Sequence, residues 1–549
     1  MKRITTLFAA FFALSFILCW FTVLPAIAQE SFPQPFGEVA NKKSACYVLT
    51  NVRIVVSPTS MIESGTVVIR EGIIEAVGAK ITIPQDAVVY DLKGKTVYPS
   101  FIEMDSDYGM PVPPPPGVPN RFTQSPPQYE SKTQGAYSWN EALKPEKQAH
   151  TTFVVNPKAA DEMRRLGFGA ALTFQHDGIA RGAAALVSFG EGKENTLILR
   201  DRAAAALSLN RGSSRQEYPS SLMGVLALLR QTYLDAQWYK QARAAEPLRT
   251  ETNISLEAWN ALQSLPQIMD VSGNRLNLFR ADRVGDEAGV QYILRTYGDE
   301  YAYIDDVKKT QAPIITSLNF PLAYNLDDPL DALNVSLLEM KNWEFAPTNP
   351  ATLEKAGVVF ALTTAGLRAK TEFMPNLRTA LKYGLSKTQA LAALTTVPAQ
   401  LLKMSDKIGT IEKGKVANLL VTSGDVFEAE TVIYHNWIQG KLYEIYNPAN
   451  GDVRGSYSLA LTGIGDYALT IKGTPQAPQL ELTQANDTLK IPCAIDRTAG
   501  GNLVTLRFAK KSGSKAEMVL SGWIETKTNG ETWSGKGQDE TGVWFMWSA

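Results

Sequence analysis

The sequence predicts an α/β protein in which repeated strand–helix units form a parallel barrel or a doubly wound sheet. Three observations support this fold class. Residues 46–98 and 405–445 are rich in β-branched strands, residues from about 150 to 400 alternate helices with buried strands, and a further all-strand segment ends the chain. Because 549 residues are too many for one hydrophobic core, we expect two or three domains.

The N-terminus has the pattern of a secretory signal peptide, residues 1–28. Lys2 and Arg3 precede a long apolar run, and the small-x-small pattern "AIA" ends at Ala28. We therefore expect an exported protein, periplasmic or extracellular after cleavage at about Ala28. Since the apolar run is long, an uncleaved N-terminal membrane anchor is the alternative.

The composition favours an ordinary folded protein and excludes some partners. Apolar residues make up 45% of the chain, and 54 Lys+Arg balance 55 Asp+Glu, so no basic excess points to nucleic acid. A small-molecule or protein partner is expected instead. Signal cleavage would leave Cys46 and Cys493, whose pairing the sequence leaves open, and no Cys/His cluster offers a structural zinc site.

The elements follow in order along the chain. Runs such as "GTVVIREGIIEAVG" predict strands broken by glycine, and the proline-rich stretch 111–128 predicts an extended loop. "KAADEMRRLGFGAALTFQ" and "PATLEKAGVVFALTTAG" each predict a helix followed by a buried strand. After about residue 450, alternating runs such as "YALTIKG" predict an antiparallel domain, whose small core we expect to be closed by Trp523, Trp533, Trp544 and Trp547.

Two stretches carry a resemblance to a known family. "DLKGKTVYPSFIEMDSD" and "ALAALTTVPAQLLKMSDKIGTIEKGKVANLLVTSGD" resemble the opening and closing signatures of the amidohydrolase superfamily of metal-dependent hydrolases, nearest to its imidazolonepropionase-like and prolidase-like secreted members. The resemblance implies a (β/α)8 TIM barrel over residues 99–399 and a composite β-sandwich from residues 29–98 and 400–447. The C-terminal all-β domain, residues 455–549, lies beyond it.

The resemblance also implies where a metal centre would lie. Members of the superfamily hold one or two metals at the carboxyl ends of the barrel strands, with His-x-His on strand one, further histidines on strands five and six, and an aspartate on strand eight. This chain contains three histidines, and none falls at the strand-one positions. The residues that the resemblance places at vestigial metal-site positions are Asp105, Asp107, Arg280, Thr364 and Ala365.

Asp105 and Asp107 stand at positions i and i+2 of a strand and so face the same way, and both carboxylates are expected to point into the barrel mouth. We predict that the guanidinium of Arg280 pairs with one or both of them in place of a metal, with no cofactor. A weakly held divalent metal (Zn, Mn or Mg) is the alternative. His176 and Asp177 are weak catalytic candidates, and a loop histidine bonded to nearby backbone is the favoured interpretation of His176.

These residues predict an exported, catalytically degenerate amidohydrolase homologue. It would act by binding a small molecule, or in a homo-oligomer or a hetero-oligomer with a related active amidohydrolase. One alternative is an active hydrolase of C–N bonds with an atypical metal site. Another is an envelope or glycan binding module that uses the C-terminal β domain.

Overall fold

The computed structural model describes residues 45–113, 127–325, 329–447, 452–474, 477–484, 490–497, 503–509, 517–527 and 530–549. The predicted signal peptide and most of the proline-rich loop lie outside the described residues. Within the described part of the chain, no helix is both long and apolar enough to cross a membrane. Cys46 is a buried free thiol, so it forms no disulfide with Cys493.

The strands are numbered in chain order. They are β1 (Cys46–Ser57), β2 (Ser60–Arg70), β3 (Ile73–Gly78), β4 (Ala87–Asp91), β5 (Thr96–Pro99), β6 (Phe101–Ser106), β7 (Phe168–Thr173), β8 (Ala180–Ser188), β9 (Ile198–Ser208), β10 (Gln267–Asp270), β11 (Tyr292–Arg295), β12 (Ile314–Ser317), β13 (Phe360–Thr363), β14 (Leu419–Thr422), β15 (Ile433–Ile438) and β16 (Lys441–Glu444). The C-terminal strands are β17 (Gly455–Leu461), β18 (Gly465–Thr474), β19 (Ala477–Gln484), β20 (Lys490–Arg497), β21 (Leu503–Ala509), β22 (Glu517–Lys527), β23 (Gly530–Gln538) and β24 (Trp544–Ser548).

The described α-helices lie between β6 and β14. They are α1 (Ala149–Thr152), α2 (Pro157–Arg165), α3 (Glu194–Leu197), α4 (Leu222–Ala245), α5 (Ile254–Leu262), α6 (Asn277–Ala288), α7 (Ile304–Thr310), α8 (Pro329–Asn334), α9 (Leu337–Phe345), α10 (Asn349–Ala356), α11 (Phe373–Lys382), α12 (Lys387–Leu394) and α13 (Thr396–Leu401). Short 3-10 turns are found at Glu300–Tyr303, Ala346–Thr348 and Lys370–Glu372.

The two strand-rich flanks join in one eight-stranded sheet, the composite sheet. Its order is β16-β15-β14-β5-β1-β2-β3, with β4 paired to β1. The flanks meet where β14 runs antiparallel to β5, with Leu419 opposite Pro99. Trp437 is fully buried on this sheet and contacts the ring edges of Tyr47 and Tyr90. The two flanks therefore join as expected, but they form one sheet where a β-sandwich was expected.

The second eight-stranded sheet, the central sheet, has the order β13-β12-β11-β10-β9-β8-β7-β6. Its ladders are parallel except that β8 runs antiparallel to both β7 and β9. The strictly alternating (β/α)8 pattern is therefore wrong at β8. The reason is the connection, because residues 174–179 contain no helix and are too few for the crossover that a parallel return needs.

The C-terminal strands form a closed antiparallel barrel of eight strands, β17 to β24. Closure comes from the pairing of β17 with β24, where Leu461 lies opposite Trp547. Trp533 and Trp547 are buried in its core, whereas Trp523 and Trp544 are 59% and 65% exposed. The prediction that all four tryptophans close the core is wrong for the exposed two, since side chains alternate across each strand and these two point outward.

Candidate functional site

Polar residues end most strands of the central sheet at one edge. The carboxyl ends of its parallel strands meet there, as does the start of the antiparallel β8. The residues at this edge are Asp105 on β6, Arg181 on β8, Ser208 on β9, Asp270 on β10, Arg295 on β11, Ser317 on β12 and Thr363 on β13. Ligand sites of parallel α/β folds lie at this edge, so it is the candidate functional site.

A buried ion pair occupies the middle of this edge. Nε of Arg295 donates to Oδ2 of Asp105 at 2.8 Å, and both side chains are largely shielded from water. Nε2 of His176 lies 2.9 Å from the other carboxylate oxygen, Oδ1. One carboxylate is therefore held between a guanidinium and an imidazole.

The charges around Asp105 outweigh its burial. Burial by itself would raise the pKa of this carboxyl group, but the contact with His176 and the charges of His176, Arg295 and Arg181 hold the pKa well below its usual range. Asp105 is therefore a carboxylate across the physiological pH range. The negative charge of Asp105 is balanced by the positive charges around it.

His176 is held by its contact with Asp105 and by packing. Its ring packs against Phe174 with the ring centroids 4.6 Å apart. Nε2 is itself buried and lies against the carboxylate of Asp105. The expectation of a loop histidine bonded to nearby backbone is therefore wrong, because the imidazole faces the carboxylate.

Arg181 and Asp270 extend the network along the edge. Nη1 of Arg181 donates to Oδ2 of Asp270 at 3.2 Å. The Arg181 side chain is 7% exposed, and its Nε is buried without a hydrogen-bond partner among the described residues. A buried guanidinium nitrogen without a hydrogen bond is unfavourable, because its hydration is lost and nothing replaces it.

Glu103 joins the first and last strands of the central sheet. Oε1 accepts the backbone N–H of Asp105 at 3.0 Å and the hydroxyl of Thr363, while Oε2 accepts the N–H and the hydroxyl of Thr364 at 2.8 and 2.7 Å. The side chain is fully buried. Burial raises the pKa of Glu103, and the hydrogen bonds from Thr363 and Thr364 offset this only in part.

The prediction for Arg280 is wrong. The segment "NRLNLFRADRV" contains most of helix α6, where the Arg280 guanidinium donates to Oδ1 of Asn277 at 3.0 Å; the described contacts join it to neither aspartate. The strand expected there lies earlier, at β10. The guanidinium that does pair with Asp105 belongs to Arg295, at the end of the next strand, so the kind of interaction was predicted and the residue was not.

Asp107 also departs from expectation. Strand β6 ends at Ser106, so the alternation of faces does not reach Asp107, which is exposed. The buried pair at alternating positions is Glu103 and Asp105. Thr364 follows β13, where the resemblance places the strand-eight position, and donates its N–H to Oε2 of Glu103 on β6. Ala365 donates its N–H to Oγ1 of Thr363 at 3.0 Å.

Asp177 lies apart from the ion network. It forms an ion pair with Nζ of Lys144 and accepts the backbone N–H and the hydroxyl of Ser213 at 2.7 and 2.8 Å. These contacts tie the segment after β7 to two neighbouring loops. The pKa of Asp177 is lowered, because the contacts with Lys144 and Ser213 outweigh burial, so this carboxylate is a poor proton acceptor.

The residues at this edge do not fit a divalent metal ion. Such an ion needs several anionic or neutral donors with free lone pairs, and no group of three His, Cys, Asp or Glu suited to a metal occurs in the described ranges. The oxygens of Asp105 already face Arg295 and His176, and those of Glu103 accept four hydrogen bonds. Two guanidiniums near Asp105 would also repel a cation.

A cavity of about 800 Å³ opens beside the network, over the ends of β7 and β8. Arg181 lines it on one side, and residues 133–152 form much of the opposite wall. Gly182 lets this wall come close: its φ is +88°, and a Cβ there would lie 2.0 Å from the carbonyl oxygen of Lys147. The carbonyl oxygen of Lys147 also accepts the N–H of Ala183 at 2.9 Å, and this hydrogen bond attaches the wall to β8.

The chain is similar to known proteins in part of its sequence and in its fold. Residues 346–443 match the model of the Amidohydrolase family. The crystal structure of an amidohydrolase from Thermotoga maritima MSB8 superposes with a TM-score of 0.56 at 23% identity, covering 72% of this chain and 100% of that one. This likeness supports an α/β fold with additional sheets, of the kind found in that amidohydrolase. No curated protein sequence matches the chain.

Looser structural matches carry prolidase and dipeptidase names. A putative prolidase from Bifidobacterium longum aligns with a TM-score of 0.43 at 15% identity over 73% of this chain and 95% of that one. A β-aspartyl dipeptidase from Fervidobacterium islandicum AW-1 aligns with a TM-score of 0.38 at 12% identity over 73% and 96% of the two chains. Superpositions this loose carry no argument about activity.

Proposed function

We propose that this chain is a non-hydrolytic member of the amidohydrolase superfamily that binds a small molecule at the edge of the central sheet where Asp105 and Arg295 lie. The observation that carries the proposal is the contact of Arg295 with Asp105. A guanidinium lies against the carboxylate at a strand-one position where relatives would hold a metal.

The chemistry of the network supports this proposal. Metal-dependent hydrolysis needs an ion that acidifies a bound water and polarises the carbonyl, and a guanidinium has no coordination position for a water. A general base should have a pKa near the working pH, but the pKa of Asp105 is held far below it. His176 faces that same carboxylate at 2.9 Å, where its Nε2 is not open to a substrate.

Hydrolysis assays test the proposal directly. The purified protein, supplied with Zn²⁺ or Mn²⁺, is offered an acylated dipeptide, a cyclic amide and a lactam, with a hydrolytic superfamily member as the positive control. We expect no turnover above the rate of buffer with metal alone. Metal-stimulated turnover that is lost in Asp105→Asn would contradict the proposal and establish the hydrolase alternative.

We also propose that the protein is exported, with a mature chain that begins at about Gln29. The support is the N-terminal pattern of Lys2 and Arg3, an apolar run and a small-x-small motif ending at Ala28. An intact N-terminus on the native protein, measured by mass spectrometry, would instead support the membrane anchor.

A second candidate function is assembly with a copy of this chain or with an active homologue. Helix α9 favours it, because none of its residues is buried although it carries Leu337, Leu338 and Trp343, with Leu337 70% exposed. A helix with exposed large apolar side chains is unfavourable in water and typical of a partner surface.

Light scattering tests this candidate. If α9 forms an interface, Leu337→Glu combined with Trp343→Glu should lower the measured mass of the assembly, since two charges would enter an apolar contact. Glu344→Gln on the same helix is the matched control and should leave the mass unchanged. A monomer in the unaltered protein, alone and mixed with an active homologue, rules the candidate out.

A further inference from the structure

Helix α4 presents a mainly apolar stripe to solvent, on the side opposite its buried face. The residues of this α4 stripe recur every three or four positions and are all exposed: Met223, Ala227, Gln231, Leu234, Trp238 and Gln241. Its large apolar side chains are strongly exposed, with Met223 at 82%, Leu234 at 62% and Trp238 at 63%. Contiguous apolar surface of this kind is typical of a site that a partner covers.

The exposed side of α4 also lacks the charges that a helix facing solvent normally carries. Of the ten exposed residues of α4, only Lys240 is charged. The neighbouring helix α6 provides a contrast within the same chain, because its exposed residues, Arg283, Asp286 and Glu287, are all charged. The exposed side of α4 therefore has the composition of an interface centre, from which charged residues are depleted.

A groove of about 740 Å³ lies at the C-terminal end of the same helix. Trp238, Ala242 and Ala245 line it from α4, and Tyr137 lines it from outside the helix. The protruding side chain of Met223 belongs to the opposite, N-terminal end of α4. One end of the helix therefore presents a knob, and the other end presents a recess beside small residues.

Two antiparallel copies of α4 bring these matching ends together. When a two-fold axis relates the copies, the N-terminal half of each helix faces the C-terminal half of the other, and every contact occurs twice. Met223 of each copy then faces the groove of the other. Ala227 and Trp238 lie at nearly equal distances from the middle of the α4 stripe, so a small side chain faces a large one. An unrelated partner would not require the two ends of one helix to match, so a second copy is the occupant that this surface fits.

The area that a stable dimer needs extends beyond the helix. A helix of 24 residues is about 36 Å long and about 10 Å wide, so its face offers roughly 360 Å², whereas a stable interface buries about 800 Å² on each partner. Trp139, 54% exposed, borders α4 beside Trp238, and the fully exposed Leu248 follows the end of the helix. These side chains and the groove lining supply the additional surface.

We propose that two copies of this chain pair through antiparallel α4 helices, with Met223 of each copy entering the groove of the other. The inference goes beyond the proposed function, because binding a small molecule at the edge where Asp105 lies requires no partner. It also concerns a different surface from α9.

Sedimentation of the full chain measures whether this dimer forms. We expect the unaltered protein to have twice the mass of one chain. Trp238→Glu should halve that mass, since a charge would be buried among apolar side chains in both copies. Trp544→Glu is the matched control, because Trp544 is 65% exposed on the C-terminal barrel, and it should keep the dimer. An unaltered protein that is a monomer, or a dimer that persists in Trp238→Glu, would overturn the proposal.

Cross-linking tests the orientation and does not depend on the folding of Trp238→Glu. Positions 223 and 245 lie about 33 Å apart along one helix, so a short bismaleimide can join cysteines at these positions only between copies. Met223→Cys/Ala245→Cys should give a cross-linked dimer on a denaturing gel, whereas Met223→Cys alone and the unaltered protein should not. A cross-link in Met223→Cys alone would show parallel pairing. No cross-link in the double variant would show that something else, such as another segment of this chain, covers the α4 stripe. Either result would overturn the proposal.

Two further measurements separate this dimer from the other proposals. Leu337→Glu/Trp343→Glu on α9 should leave the α4 cross-link in place, and a mass that falls in that variant and not in Trp238→Glu would overturn the α4 dimer in favour of α9. Hydrolysis of an amide by the unaltered protein would contradict the proposed function and leave the dimer unaffected.

Discussion

Arg295→Met is expected to destabilise the protein by about 3–5 kcal/mol, because it leaves the buried carboxylate of Asp105 without its guanidinium. The cost comes from the unpaired charge, since methionine keeps much of the side-chain volume. Chemical denaturation at pH 7.5 measures this loss of stability as a lower midpoint concentration of denaturant.

Two variants separate the charge from the loss of packing. Arg280→Met removes an arginine that is half-buried and bonded to Asn277, and it should cost less than about 1 kcal/mol. The double variant Arg295→Met/Asp105→Leu removes both charges and should recover most of the lost stability. Equal effects of Arg295→Met and Arg280→Met would contradict the account of the ion pair.

The pH dependence follows from the direction of the shift at Asp105. Its pKa is lowered in the folded protein, so its contribution to stability is present above the unfolded pKa of about 3.9 and is lost as pH falls through the folded pKa. Without Arg295 this pKa should rise, and protonation should relieve the unpaired charge. The gap in stability between the unaltered protein and Arg295→Met should therefore be smaller at pH 4.5 than at pH 7.5.

Glu103→Gln is expected to cost about 1–3 kcal/mol in spite of its nearly identical shape. Oε1 of Glu103 accepts the N–H of Asp105, and Oε2 accepts the N–H of Thr364. A glutamine amide has one oxygen, so either orientation turns its NH2 group toward a backbone N–H that can only donate. Thermal unfolding at pH 7 measures the loss.

Glu63→Gln is the matched control, because that side chain is 76% exposed. The same isosteric change there should alter stability by less than about 0.5 kcal/mol. If the Glu103→Gln variant were as stable as Glu63→Gln, the hydrogen bonds by which Glu103 links β6 to β13 would contribute nothing to stability. That result would contradict the role given to Glu103.

The sequence predicts that the two strand-rich flanks join, because strand patterns are local in the chain, and the resemblance predicts the kind of contact that Asp105 makes. Glycine-broken strands are visible on each flank, and an aspartate on a buried strand needs a cation or a hydrogen-bond donor beside it. The choice between Arg280 and Arg295 depends on where β10 ends and α6 begins. A short strand such as "QIMD" gives too little periodicity to fix that boundary.

The sequence gives no role to Glu103, although the position of this residue is visible in the strand pattern. It stands two residues before Asp105 on a short apolar strand, which is the spacing of two side chains on one face. Its partners Thr363 and Thr364 are about 260 residues away in the chain, and no local pattern links them to it. The antiparallel β8 was hidden for a similar reason, since only the short connection 174–179 distinguishes it from a parallel strand.

Metal stoichiometry tests the central claim, the replacement of a metal by Arg295, most directly. The protein is equilibrated with Zn²⁺ or Mn²⁺, freed of unbound metal by gel filtration, and measured by elemental analysis beside Asp105→Ala. We predict far less than one equivalent of metal per chain in both proteins. One equivalent that is retained by the unaltered protein and lost in Asp105→Ala would contradict the claim.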